Sequence, residues 1–196
     1  MQRQGVVPDV ITYNALISAC EKGKQPERAL EVFEAMQRQG AVPNVITYNA
    51  LISACEKGKQ PERALELFEA MQRLGVVPNV ITYSNLISAC EKGKQPERAL
   101  ELFEAMQRQG VVPNVITYSA LISAFEKGKQ PERALELFEA MLRQGVVPNV
   151  ITYNALISAC EKGKQPERST ELLEAMQRQG VVPDVMPEST LGYLEV

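Results

Sequence analysis

Six glycines, Gly5, Gly40, Gly75, Gly110, Gly145 and Gly180, stand 35 residues apart, as do Tyr13, Tyr48, Tyr83, Tyr118 and Tyr153. A fixed period of this length specifies a stacked array, because one short unit cannot bury an apolar face alone and its neighbours must cover it. Five whole units run 10–44, 45–79, 80–114, 115–149 and 150–184. A partial repeat tail over 1–9 precedes them, and a C-terminal cap or tail over 185–196 follows.

Each unit reads as two helices. Tyr13, Leu16, Ile17 and Cys20 are spaced i, i+3, i+4, i+7, one face of a helix over about 10–21 that stops at Gly23. Pro26 suits a first helical position and opens a second helix with Ala29, Leu30, Phe33 and Met36 on its buried side. Gly40 is expected as its C-cap, and Pro43 blocks continuation. Nothing alternates with period two, and the short Gly/Pro connections suit antiparallel helix pairs. The expected class is all-α, a solenoid whose hand these patterns leave open.

With 45% hydrophobic and 23% charged residues, the chain can bury a core. No apolar run reaches bilayer-spanning length, and "MQRQGVVPD" has no signal-peptide pattern. A net charge of −3 taken alone argues against a nucleic-acid binder. The first unit, however, sets Glu21, Glu27, Glu31 and Glu34 against Lys22, Lys24, Arg28 and Arg38, and a neutral repeat can still segregate its charges by face. Cys20, Cys55, Cys90 and Cys160 share one repeat position, which Phe125 fills in the fourth unit. A slot that accepts Cys or Phe is an apolar packing site. The spacing fits no zinc pattern, histidine is absent, and stacked repeats would hold the thiols too far apart to bridge. A reduced, intracellular protein without a metal or other cofactor is expected.

The segment "VITYNALISA" recurs unchanged at 10, 45 and 150, but at 80 and 115 Ser84 and Ser119 replace its asparagine. Units built from "VITYNALISACEKG", "ERALELFEAM" and "GVVPN" strongly resemble the P-type pentatricopeptide repeat family, over residues 10–184. The tetratricopeptide pattern fits worse, since its period is about 34 and it calls for a Trp. Copies this similar fit either a consensus design or a recently duplicated array. The resemblance implies a right-handed superhelical α-solenoid of five helix–turn–helix repeats that binds single-stranded RNA, one base per repeat, through two or three side chains. It implies first base readers at Asn14, Asn49, Ser84, Ser119 and Asn154, and second readers at Asn44, Asn79, Asn114, Asn149 and Asp184. It further implies that Ile11, Ile46, Ile81, Ile116 and Ile151 sandwich the bases. In the family Asn with Asn favours C and tolerates U, Ser with Asn favours A, and Asn with Asp favours U. The implied target is 5′-CCAAU-3′, with U tolerated at the first two places.

Helical geometry is compatible with that placement. Ile11, Asn14, Ser18 and Lys22 are spaced i, i+3, i+7, i+11, on a stripe separate from the Tyr13 face. An ordinary solvated face accounts for Ser18 and Glu21, but not for an isoleucine in every unit. Lys22, Lys57, Lys92, Lys127 and Lys162 close the stripe. They suit phosphate contacts, and equally a cation at a helix C-terminus. Glu27, Glu31 and Glu34 form an acidic stripe expected on the solvated back, while the tyrosines lie on the core face and are expected to pack. No histidine, no nucleophile beside a base and no Gly-rich phosphate loop occurs, so a binding module without catalytic residues or a small-molecule substrate is expected. The alternative is a protein-binding α-solenoid, or an idle scaffold, of the tetratricopeptide kind.

The last unit departs from the pattern. "ERST" replaces "ERAL", and Leu173 stands where the other units have Phe. Polar Ser169 and Thr170 suit an exposed terminal helix. Leu191 and Leu194 are expected to cover the end, whereas the N-terminus lacks a comparable cap, so a homodimer through uncapped solenoid ends is an expectation. The resemblance implies a mitochondrial or chloroplast role in RNA processing.

Overall fold

The structure, a computed structural model, describes residues 8–182. The partial tail at 1–7, the reader Asp184 and the expected cap at 185–196 lie outside the described residues. Among the described residues there are ten α-helices and no strands: α1 (Val10–Lys22), α2 (Pro26–Arg38), α3 (Val45–Lys57), α4 (Pro61–Arg73), α5 (Val80–Lys92), α6 (Pro96–Arg108), α7 (Val115–Lys127), α8 (Pro131–Arg143), α9 (Val150–Lys162) and α10 (Pro166–Arg178). The chain is an all-α helical-repeat solenoid, as its period requires. It divides into two compact units, Met1–Gly93 and Lys94–Val196. In the first, α1 packs on α2 and α3, and α3 on α4 and α5. In the second, α7 packs on α8 and α9, and α9 on α10.

The odd-numbered helices start at a side-chain cap. Asn44 and Asn79 accept backbone N–H bonds from the residues two and three positions on. The hydroxyls of Thr47 and Thr82 accept in return from the Asn44 and Asn79 N–H groups, completing capping boxes. Asn114 and Asn149 cap α7 and α9 in the same way. Asp9 caps α1, and the Thr12 N–H, then its hydroxyl, holds the Asp9 carboxyl below the usual carboxylate value.

The first helix stops at Gly23 as expected, whereas the end of the second corrects an expectation. Gly40 is not the cap itself but the next residue, at φ 72°, where its N–H bonds Gln37 and the Ala41 N–H bonds Met36. This is a Schellman closure. The first helix of each unit closes likewise, but the left-handed residue is Lys24, at φ 52°, not Gly23, at φ −77°. The glycine is there for room. A Cβ on Gly58 would stand 2.6 Å from Pro26 Cγ, and one on Gly93 2.7 Å from Pro61 Cγ, each proline belonging to the preceding repeat.

Tyr13, Tyr48, Tyr83, Tyr118 and Tyr153 are buried, as their helical face requires. Phe33 meets Tyr48 edge-on at 5.7 Å and Phe103 meets Tyr118 at 5.3 Å, so each second helix stacks on the first helix of the next repeat. Two core expectations fail at the ends. Leu16 is 47% exposed and Cys20 half-buried, while their equivalents Leu51 and Cys55 are buried. The reason is that α1 covers α3, and no described helix precedes α1. Ser169 is 1% exposed rather than solvated, and its hydroxyl has no hydrogen-bond partner. Thr170 is exposed as expected, its hydroxyl donating back to the Pro166 carbonyl.

Candidate nucleic-acid interface

In the first unit, α1, α3 and α5 lie side by side and their stripe residues share one open depression. Asn14, Asn49, Ile46, Ile81, Ser18 and Ser53 are among its lining. The isoleucines stay in solvent, from 77% exposed at Ile11 to 54% at Ile81, although an apolar side chain gains by burial.

Among the described residues three of the pairs meet within a compact unit. Asn14 Nδ2 donates to Asn44 Oδ1 at 3.4 Å, and Asn49 Nδ2 to Asn79 Oδ1 at 3.2 Å. In the second unit the Ser119 hydroxyl lies 3.3 Å from Asn149 Oδ1. Capping fixes which atom is which. Asn79 Oδ1 already accepts the Ile81 and Thr82 N–H groups, so it is the oxygen, and the Asn49 atom facing it must be the donor nitrogen. Asn79 therefore turns its oxygen to the helix and keeps its NH2 group for other acceptors. The sequence signal was present: Asn followed three residues later by Thr, immediately before an apolar helix, is a cap pattern. Asn85, where the other repeats have alanine, also lines the depression and donates to the Asn49 carbonyl at 3.4 Å.

The lysines occupy the end of the stripe, and three of them are paired with carboxylates. Lys57 Nζ lies 2.6 Å from Glu21 Oε1, and Lys92 Nζ 2.5 Å from Glu56 Oε1, each carboxylate belonging to the preceding repeat. Lys162 pairs with Glu126 in the same way. Ser53, Ser88 and Ser158 donate to the same three carboxylates at 2.9, 2.8 and 2.8 Å. Glu56 and Glu126 are buried by this arrangement, so the reading of this position as ordinary solvated surface is corrected. The acidic stripe on the second helices is exposed, and Glu27 reaches the Gln60 amide of the next repeat at 2.6 Å. That bond holds the Glu27 carboxyl below its ordinary value. Among the described residues no cluster of His, Cys, Asp and Glu could hold a metal, and no helix is long and apolar enough to cross a membrane.

Residues 2–190 match the profile of the pentacotripeptide-repeat region of PRORP. The chain belongs to the pentatricopeptide repeat (PPR) family. Solved PPR structures share its fold. PPR10 in complex with an 18-nt psaJ RNA element matches 91% of this chain and 26% of its own at 24% identity and TM-score 0.76. PPR10 from maize matches 94% of this chain and 26% of its own at 28% identity and TM-score 0.71. The PPR domain of Arabidopsis thaliana protein-only RNase P 1, in complex with tRNA, matches 91% of this chain and 93% of its own at 22% identity and TM-score 0.75. The chain thus spans about a quarter of the length of the PPR10 chains. No curated protein sequence matches it significantly.

Proposed function

We propose that this PPR array is a sequence-selective binder of single-stranded RNA with no chemistry of its own, each repeat taking one base between exposed isoleucines. The observation that carries the reading is the Asn49–Asn79 bond at 3.2 Å, with Asn49 lining a depression that Ile46 and Ile81 also line. A base stacked between aliphatic side chains would present its pairing edge to that amide pair. RNA complexes of PPR10 and of the RNase P PPR domain support the partner class.

The capping geometry supplies a physical basis for the letters. An Asn that caps with its oxygen offers NH2 donors to the base, which suits the bare acceptor nitrogen on the pairing edge of cytosine or adenine. An Asp in the same place has only acceptors, which suits the N–H of uracil. Asn44, Asn79, Asn114 and Asn149 thus favour C or A and Asp184 favours U, and the family resemblance, which assigns A to Ser84 and Ser119, completes 5′-CCAAU-3′. The lysines contribute phosphate contacts from their solvent side. A role in organellar RNA processing follows from the family.

A gel shift with 5′-CCAAU-3′ centred in a short single strand, the same strand annealed to its complement, and an unrelated strand tests the reading. Binding of the first alone is expected. Equal retention of the duplex, or retention of none, would overturn it in favour of a protein-binding scaffold.

A further inference from the structure

We infer that the buried threonine opening each repeat is a positioning residue for the base reader of the repeat before it, so that one letter of the code is set across a repeat boundary. The inference rests on the RNA reading above and adds residues to it: Thr47, Thr82 and Thr152. Each is fully buried, lies 33 positions beyond a first reader and bonds it. Thr47 Oγ1 donates to Asn14 Oδ1 at 2.7 Å, and Thr82 Oγ1 to Asn49 Oδ1 at 2.6 Å. Ser119 and Thr152 hydroxyls lie 2.8 Å apart.

The hydrogen count makes these bonds decisive. Thr82 Oγ1 has one hydrogen and accepts the Asn79 N–H at 3.1 Å, so its hydrogen goes to Asn49 at 2.6 Å rather than to Asn79 Oδ1 at 3.2 Å. The Asn49 amide is then held at both ends, its nitrogen by the Asn79 oxygen and its oxygen by the Thr82 hydroxyl. One N–H and one oxygen lone pair remain, each aimed in a fixed direction. Without the hydroxyl the amide pivots about its remaining bond and presents either atom to the base. Asparagine needs such an anchor because its carboxamide torsion is broad and roughly two-fold.

The test is selection from RNA randomised at five positions, using the parent protein, Thr82→Val, Thr82→Ser and Thr152→Val. Thr82→Val is expected to lose its preference at the second base, by about tenfold in relative affinity, while the first, third and fourth stay selected. Thr82→Ser restores it, and Thr152→Val relaxes the fourth base alone. An unchanged second base, or an equal loss at every position, overturns the inference, the latter marking a merely structural role. Side-chain amide NMR of the unliganded protein supplies a readout independent of RNA. The Asn49 NH2 pair is expected to shift and to exchange faster in Thr82→Val, and unchanged resonances contradict the anchor. If the parent binds no single-stranded RNA while the NMR change appears, the proposed function fails and the anchor stands.

Discussion

At the scale of the residue, Ser169 is the clearest misfit. Four repeats carry alanine in that slot, Ala29, Ala64, Ala99 and Ala134, and all are fully buried. The serine brings a hydroxyl into the same space without a partner, and an unmade buried hydrogen bond costs about 1–3 kcal/mol. Ser169→Ala is expected to raise the denaturant midpoint by a stabilisation of about that size, with an unchanged slope. The cysteines make a second residue-scale prediction. Burial pushes the Cys55 thiol up to about 11, so the folded state favours the neutral thiol. That contribution is complete at neutral pH and is lost as pH rises past the unfolded value toward 11. Under native conditions at neutral pH a thiol reagent should label half-exposed Cys20 well before Cys55, Cys90 or Cys160. Single residues were unevenly legible in the sequence. The tyrosine core and the exposed isoleucines followed from helical spacing. The burial of Ser169 did not, because a polar residue near a chain end reads as solvated until its slot is compared with the alanines before it.

At the scale of the element, the ten helices and their start residues were legible, because Pro at a first turn and a strict period leave little choice. The turn between paired helices was legible in its bounds, the stop at Gly23 and the start at Pro26, but not in its backbone. Glycine there is required by the proline of the previous repeat, while lysine takes the left-handed backbone at φ 56° in Lys59. Two opposite mutations follow. Gly58→Ala places a methyl 2.6 Å from Pro26 Cγ. It is expected to destabilise by about 1–3 kcal/mol, the range for overpacking. Lys59→Gly relieves a left-handed residue and is expected to stabilise by about 1 kcal/mol. Thermal melts of the two variants, moving in opposite directions, check both. The Glu–Lys brackets between neighbouring helices were invisible to periodicity, since a carboxylate one position from the stripe looks like surface until the next helix is laid beside it. Glu56→Gln removes the charge opposite Lys92 while keeping an acceptor for Ser88. A charge-assisted hydrogen bond contributes about 1.5–3 kcal/mol, and a loss toward the lower end is expected because the lysine is partly solvated. The freed ammonium should bind phosphate better, steepening the log–log salt dependence of RNA binding by about 0.7.

At the scale of the whole molecule, RNA binding by an acidic chain of net charge −3, as proposed, requires that attraction be confined to one face. Five unpartnered lysines would give a salt slope near about −3.5, from roughly −0.7 for each neutralised phosphate. Because Lys57, Lys92 and Lys162 already face carboxylates, the parent slope is expected to be shallower, as a salt titration of the binding constant measures. A weak electrostatic background leaves discrimination to the base edges, where a mispaired buried polar group costs on the order of 1 kcal/mol or more. The array and the position where Asn and Ser alternate stand out in the sequence because identical copies make any difference conspicuous. The bonds between repeats were not, since no single copy contains them. Selection from a randomised single-stranded RNA pool tests the central claim most directly. The parent protein is expected to enrich adenine at the two positions read by Ser84/Asn114 and Ser119/Asn149, flanked by pyrimidines, and Ser84→Asn with Ser119→Asn to move both toward cytosine. Binding that enriches no adenine at those two positions, or that ignores the double substitution, would contradict the account.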